Sequence, residues 1–493
     1  MKVEEQGRPA DEVLAELRRR HEGDLPTHGG RTWAYVYDAG WPGLDELLAE
    51  AHRTYSAVNG LDPTVFPSIV GMENDLVAAA LELLSGPPGA VGTFTSGGTE
   101  SCMLSVKAAR DARPDAARPR MVVPTTVHPA FLKGAKYFGV EPVPVPVDSG
   151  TCRADAAAMA AAIDERTVLV VASAVSYAHG VCDPVPEIAS AAAARGVPCH
   201  VDGCIGAWLL GWWRRLGHAV PAFDFAVPGV TSMSVDLHKY AYAAKGASLL
   251  LFRDAALRRA SYFASAAWPG YVMINSTMQS TKSAGPLAAA WAALRHLGAR
   301  GHRELARRTH EATRTLCAGV DAIPGLRVLG RPDAALVAIA ANDEAVDAFV
   351  VADELRERGW YVQPQLAFGD MPRNLHLTVT AASLPRVEPL LVDLRAAVAA
   401  ARAAPSARPD PDLVAMARAI DPDALTPGEF GRLLAFAGLD PAALASGTPA
   451  RMAGINHILE AVSPALRERL LMEFLGLIYT PGTQASCDRP AIG

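Results

Sequence analysis

Residues 91–111 read VGTFTSGGTESCMLSVKAARD. A strand-like run ends in Thr95, Ser96, Gly97, Gly98 and Thr99, and a helix begins near Glu100. Free amide groups at a helix start, bare glycine backbone and hydroxyl side chains together make an anion site. Alone, such a string is also explained by a Gly-rich turn with a Ser/Thr helix cap. Its surroundings decide the matter.

Working outward, short apolar runs alternate with Ala-rich helical stretches from 91 to about 255. MVVPT, VEPVPVPV, TVLVVASAV, VPCHVDG, FAVPGV and ASLLLF are the strand candidates. Strands separated by helices imply an α/β layered domain with a mainly parallel sheet. A helical stretch over 285–319 leads to a smaller α/β set, LRVLG, ALVAIAA, AVDAFVVADELRERG, WYVQPQL and NLHLTVT. Upstream, DEVLAELRRRH at 11–21 reads as a leading helix, and 43–84 is again helical around the loop NGLDPTVFPS. ARAAPSARPDPD at 401–412 has no apolar period and reads as a linker. Four short amphipathic helices follow it. The expected segments are therefore 1–60, an N-terminal helical part; 61–300, the large domain; 301–402, the small domain; and 403–493, linker and helical extension.

At 493 residues the chain has room for a large core, and 52 acidic against 46 basic side chains leave a net charge of -6. Half the residues are hydrophobic, which excludes whole-chain disorder. No long basic run marks a nucleic-acid or anionic membrane surface, so neither partner is expected. The opening MKVEEQGRPADE lacks the apolar stretch of a signal peptide, and no segment reaches 18 uninterrupted apolar residues. A cytoplasmic location with no membrane span is the expectation. Seven cysteines, Cys102, Cys152, Cys182, Cys199, Cys204, Cys317 and Cys487, are scattered with no CxxC pair, so neither a disulfide framework nor a metal site is expected.

Two further strings carry chemistry. PCHVDGCIG at 198–206 puts Asp202 at the end of an apolar strand, where a buried carboxylate is costly without a cationic partner. SMSVDLHKYAYAAKGASLLLF at 232–252 sets His238 and Lys239 before a strongly apolar strand. Such a lysine is expected to have a lowered pKa and so to be nucleophilic. Phosphate cup, strand-end aspartate and near-buried lysine, in that order, are what a pyridoxal 5'-phosphate enzyme needs. The lysine makes the Schiff base, the aspartate keeps the pyridine nitrogen protonated, and the cup holds the phosphate.

These residues also carry a resemblance. GTFTSGGTES, HPAFLKGAKYFGV, AHGVCDPVPEIASAAAARGVPCHVDGCIGAW and the HKY and AKGAS stretches resemble the sphingosine-1-phosphate lyase branch of the group II pyridoxal-dependent decarboxylase family, over about 57–300. The resemblance implies fold type I: a large domain with a mainly parallel sheet, a smaller C-terminal α/β domain and, here, an extra helical extension. It assigns Lys239 as the Schiff-base lysine, Asp202 as the pyridinium partner and His128 as the histidine stacked on the cofactor ring. Ser96, Gly97, Gly98 and Thr99 match the phosphate cup, with His238 reaching the same phosphate. On the substrate side it places Tyr37, Asn59, Tyr177, His179 and Lys245, the last facing a substrate phosphate.

The departures matter as much. Asp62 stands where the lyases have a histidine, and an acid there would repel a phosphate. The family's arginine-bearing loop, contributed across a dimer, is replaced by MINSTMQSTKSAGP, which leaves Lys282 as the arginine's stand-in. Gly203 and Leu237 replace an alanine and a hydroxyl residue beside the cofactor. Two outcomes share Lys239, Asp202 and His128. One is a carbon–carbon lyase cleaving Cα–Cβ of a small or phosphorylated β-hydroxy amine, and the other is an L-amino acid decarboxylase. A non-catalytic protein keeping the fold is the third reading. The resemblance further implies a homodimer with shared active sites, and the C-terminal helices are expected to dock on the small domain or a partner.

Overall fold

The computed structural model describes residues 3, 5–404, 407–409, 411–436 and 451–481. The chain forms two compact units interleaved in sequence: a larger one of His28–Ile339 with His376–Pro389, and a smaller one of Met1–Thr27, Ala340–Leu375 and Leu390–Gly493. The chain passes between them at these points rather than at 60, 300 and 402.

The larger unit is built on β1 (Val91–Thr95), β2 (Arg120–Pro124), β3 (Glu141–Val145), β4 (Thr167–Ser173), β5 (Cys199–Asp202), β6 (Val230–Asp236) and β7 (Ser248–Phe252). Their order in the sheet is β1-β7-β6-β5-β4-β2-β3. All neighbours pair parallel except β7, which is antiparallel to both β1 and β6. The cause is the length of the link. Leu237–Ala247 is too short to hold a crossover helix, so the chain turns back on itself. That link carries His238, Lys239 and Lys245, and it therefore sits at the carboxyl end of β6. β4 and β7 are buried at every position, as strands covered on both faces must be.

Local chemistry sets the elements around this sheet. His128 caps the helix Pro129–Phe138, its Nδ1 accepting from the Ala130 amide at 3.2 Å, with proline at the first turn and Gly139 at φ 68° closing it. The helix Gly285–Asp321 is broken at Gly298, φ 53°.

One strand expectation fails. FAVPGV at 225–230 is mostly turn, because Gly229 at φ 93° follows a proline, and β6 is the next stretch, VTSMSVD. Its small hydroxyl residues sit in a nearly fully buried central strand, so apolar patterning hides it. A hairpin of Phe263–Ser265 and Met273–Asn275 is a further element the pattern does not announce. A four-stranded sheet runs in the order Leu326–Val328, Leu336–Ala341, Asn374–Thr378, Gln363–Gln365.

In the smaller unit the 401–412 stretch is only partly a linker, since the helix Val387–Ala403 takes its first residues and Pro411–Arg418 its last. The helix Ala453–Ala461 docks on the helix Ala348–Glu357. Asp353 accepts from the Met452 and Ala453 amides at 2.8 and 3.0 Å, capping the incoming helix. His457 Nε2 lies 2.6 Å from Asp347, and Arg373 pairs with Glu460. The C-terminal helices thus meet the element that the sequence placed in the small domain. The stretch 437–450, the last residues of the chain and Cys487 lie outside the described residues. Among the described residues no helix is long and apolar enough to cross a membrane.

Candidate active site

The carboxyl edge of the parallel strands holds a cavity of about 330 Å³ lined by Ser96, Gly97, Gly98, Thr99, His128, Tyr177, Asp202, Asp236, His238 and Lys239. β1 delivers the cup, β2 leads to His128, β5 ends on Asp202 and β6 ends on Asp236. Ligands of open α/β sheets bind at this edge.

Lys239 departs from expectation. Its Nζ lies 2.9 Å from Asp236 Oδ2, and His238 Nε2 is 3.6 Å from the same oxygen. Burial pulls the ammonium down, but the charge of Asp236, with smaller help from Tyr37 and Cys204, overrides it and holds the Lys239 pKa above the ordinary lysine value. The same pair keeps Asp236 ionised against its own burial. Lys239 is therefore held as a cation here, not poised as a free amine, and its proton has to leave before it can attack.

Asp202 is 7% exposed. Its Oδ1 accepts from the Cys204 amide at 3.1 Å and from Ser234 Oγ at 3.2 Å. Among the described residues no cation lies within ion-pair distance of it. A buried carboxylate with only two neutral donors lacks the positive partner that burial calls for. A protonated pyridine ring supplies that partner.

The cup fits a small anion by its shape. Gly97 at φ 153° starts the helix Gly98–Asp111, and a Cβ on Gly98 would fall 2.6 Å from Asp236 Oδ2 and 2.8 Å from Cys204 Sγ. Only glycine lets the backbone come this close. His238 Nδ1 accepts from the Ala247 amide at 3.2 Å, and its Cε1 is the nearest atom to a Cβ built on Gly97, at 3.6 Å, so the ring borders the cup. Glu100, which the sequence reading passed over, organises the loop. Its Oε2 accepts from Ser96 N and Oγ at 2.6 and 2.8 Å, and its Oε1 from the Met278 amide at 2.8 Å. The residues present fit pyridoxal phosphate: Lys239 to attach it, Asp202 for the ring nitrogen, His128 beside the ring and the cup for the phosphate.

His128 is driven toward the neutral form, chiefly by burial, with Asp202 opposing. Since Nδ1 accepts from Ala130, the ring proton belongs on Nε2. Tyr177 lies edge-on to His128 at 6.3 Å between centroids and stacks on His376 at 4.4 Å and 19°. His376 is fully buried and burial pushes its pKa down to about 4, so the stacked partner is an uncharged ring. No sequence rule pairs positions so far apart. His179 is buried, does not line the cavity, and is likewise pushed down to about 4 by burial.

Lys245 Nζ sits 4.9 Å from the Tyr37 ring centroid and 3.5 and 3.4 Å from the Tyr35 and His238 carbonyls. Although much of the residue is solvent-exposed, desolvation of its ammonium, reinforced by the charge of Lys239, brings its pKa down to about 8. Tyr37 packs edge-on to Tyr240 at 5.2 Å, and burial pushes its hydroxyl up to about 12. The other substrate-side candidates stand away from this cavity. Asn59 Oδ1 accepts from the Leu61 amide at 3.0 Å, and the exposed Asp62 accepts from Thr64 N and Oγ1 at 2.9 and 2.6 Å, each fixing its own loop. Lys282 pairs with Glu73 at 2.9 Å and lines a second cavity of about 310 Å³.

With this geometry in hand, similarity to known proteins becomes informative. Residues 91–364 match the aminotransferase class-V family model, and 411–477 match a C-terminal HTH-type domain of pyridoxal-dependent enzymes. The sphingosine-1-phosphate lyase of Dictyostelium discoideum is 39% identical over 351 residues, 71% of this chain and 65% of that protein. The chain thus spans just under two thirds of that relative's length. The Arabidopsis thaliana lyase is 35% identical over 403 residues, 80% of this chain and 73% of that protein. A solved structure of Burkholderia pseudomallei sphingosine-1-phosphate lyase superposes with a TM-score of 0.76 at 37% identity, covering 82% of this chain and 93% of the other. Lysine, unpaired strand-end aspartate, glycine-built cup and these matches agree, and the chain belongs to the sphingosine-1-phosphate lyase family of pyridoxal phosphate enzymes.

Proposed function

We propose that this chain is a carbon–carbon lyase that cleaves Cα–Cβ of a phosphorylated β-hydroxy amine and releases an aldehyde. The observation that carries the reading is Lys245, a second ammonium held beside Lys239 in a partly desolvated position suited to an anion the cofactor cup does not serve. Pyridoxal phosphate, when bound, supplies the electron sink for the bond that breaks. The chain's own residues set the rest. Asp202 keeps a proton at the ring nitrogen. His128 presents a flat neutral ring with its proton on Nε2. Asp236 holds the Lys239 proton until the amine is needed, and Lys245 binds the substrate's anionic end.

The runner-up, an L-amino acid decarboxylase, uses the same Lys239, Asp202 and His128. Asp62 and the altered loop that carries Lys282 favour it, but within this chain the Asp62 carboxylate is engaged by its own loop. Aldehyde and carbon dioxide are assayed in parallel on the purified holoenzyme, with phosphorylated amino alcohols and with L-amino acids. Aldehyde without carbon dioxide is expected. Carbon dioxide with an amine product would overturn the reading.

A homodimer and a cytoplasmic location complete the proposal. Phe263, Trp268, Tyr271, Val272 and Ile274 expose apolar surface around the hairpin, which supports a second copy seated there. Over 411–477 five arginines stand against eight acids, a balance that supports a protein-docking rather than a nucleic-acid role for the HTH-type helices.

A further inference from the structure

Cys102 enters the cavity from the start of the second turn of the helix Gly98–Asp111, and Cys204 from the turn two residues after Asp202. Both are buried, 1% and 7% exposed, and their Sγ atoms lie 3.9 Å apart. One Asp202 oxygen and the two sulfurs all fall within 4.8 Å of one another. A tetrahedral zinc ion with bonds of about 2.3 Å to sulfur holds two thiolates about 3.8 Å apart, so this pair already has the spacing. The third donor is also ready. Asp202 Oδ1 is fixed by Cys204 N and Ser234 Oγ, while Oδ2 accepts no hydrogen bond among the described residues. All three residues line the cavity, so a water from it would complete the shell.

We propose that Cys102, Asp202 and Cys204 form a binding site for a thiophilic divalent ion, Zn²⁺ or Cd²⁺, open in the cofactor-free chain and closed when the cofactor is bound. Exclusion rests on the reading of Asp202 as the ring-nitrogen partner, since one carboxylate cannot serve both. On binding, each thiol S–H bond breaks, its proton goes to solvent and a metal–sulfur bond forms, with no change of oxidation state. The ion would therefore act as a competitive block on cofactor uptake, not as a catalyst.

The test uses the full chain after cofactor removal, with Cd²⁺ and Zn²⁺ as probes. One ion per chain is expected, with the ultraviolet cadmium–thiolate band and, for zinc, X-ray absorption showing two sulfur ligands at about 2.3 Å. Cys102→Ser and Cys204→Ser each weaken uptake by more than about a hundredfold, since losing even an outer-shell partner costs about 10- to 100-fold, and Cys317→Ser leaves it unchanged. Prior loading with pyridoxal phosphate abolishes uptake. Oxygen- and nitrogen-only coordination, retained binding in both serine variants, or simultaneous occupancy by metal and cofactor would each overturn the proposal. So would a Cys102–Cys204 disulfide formed in place of metal uptake. The wild-type absorption measurement does not depend on either variant folding. The visible cofactor band is read separately, so failure of the cofactor assignment is distinguishable from failure of the metal site.

Discussion

Replacing Lys245 by methionine removes the charge while keeping an unbranched side chain of similar length. Among the described residues the ammonium has two long contacts to carbonyls, at 3.4 and 3.5 Å, and the Tyr37 ring at 4.9 Å. A phosphate oxygen offers a shorter, charge-assisted bond, worth about 1.5–3 kcal/mol. At about 1.4 kcal/mol per factor of ten, Lys245→Met should raise KM for a phosphorylated substrate about 10- to 150-fold. The same variant should change KM for the dephosphorylated amine by less than about twofold. Protonation adds a second handle. With a pKa brought down to about 8, the free enzyme loses this charge as pH rises through 8, so affinity for the phosphorylated substrate should fall there and the methionine variant should lose that limb. Steady-state kinetics on both substrates, from pH 7 to 9, measure this. Equal losses on the two substrates would refute the assignment of Lys245 to the phosphate.

Three further outcomes follow from named contacts. His376→Ala should lower kcat/KM about 2- to 12-fold, the worth of a ring pair, with the cofactor band unchanged, and His376→Phe should restore it; loss of the band in both would make the residue merely structural. Gly203→Ala puts a Cβ 2.6 Å from Ala207 Cβ and 2.8 Å from the Ser234 carbonyl, so thermal unfolding should show a cost of about 1–3 kcal/mol, and an unchanged Tm would contradict this packing. Burial depresses His179, His200 and His376 to about 4 and His302 to about 3. Each is neutral when folded and protonates near 6.5 when unfolded, so the stability they protect is whole above pH 6.5 and is lost as pH falls toward 4, at up to about 1.4 kcal/mol per group per unit. Asp183, raised by burial to about 6, has the opposite sign and offsets part of the loss below that pH. Calorimetry from pH 7 to 5 should show falling stability, and a rise would refute the balance.

How much of this is legible in the sequence depends on whether a residue's role lies in its own stretch. The cup, Asp202 and Lys239 are each attached to the end of a strand, and a strand end always reaches the same edge of a parallel sheet. Spacing along the chain therefore carries over into space. β6 was misplaced because a central strand of Val, Thr, Ser and Met has no apolar run, although the motif at its end does line the cavity. Glu100 and Asp236 stand inside quoted strings, yet the hydrogen bonds to Met278 and the hold on Lys239 exist only after folding. Asp62 and Lys282 show the converse. Matched by resemblance to positions on the substrate side, each is engaged by a neighbour, Thr64 or Glu73, that the resemblance does not show. The Cys102–Cys204 pair is invisible to any spacing rule because it joins a helix residue to the turn after β5, 102 positions apart in the chain.

Charge explains why these parts form one site. Two buried carboxylates, Asp202 and Asp236, face the same cavity, and a single lysine answers only one of them. Asp236 takes Lys239 and has His238 at 3.6 Å, while Asp202 is left with neutral donors. The cavity is thus short of a positive charge at Asp202 and offers amide and hydroxyl donors to a negative one at Ser96–Thr99. A ligand that satisfies both ends is dipolar, cationic at a ring nitrogen and anionic at a phosphate. A cation at Asp202 adds like charge to the cavity and so works against the Lys239 ammonium, while Asp236, 2.9 Å from Lys239 Nζ, remains the group that holds the proton. The Lys239 proton therefore has one keeper, Asp236, and the cavity's unmatched charge lies at Asp202.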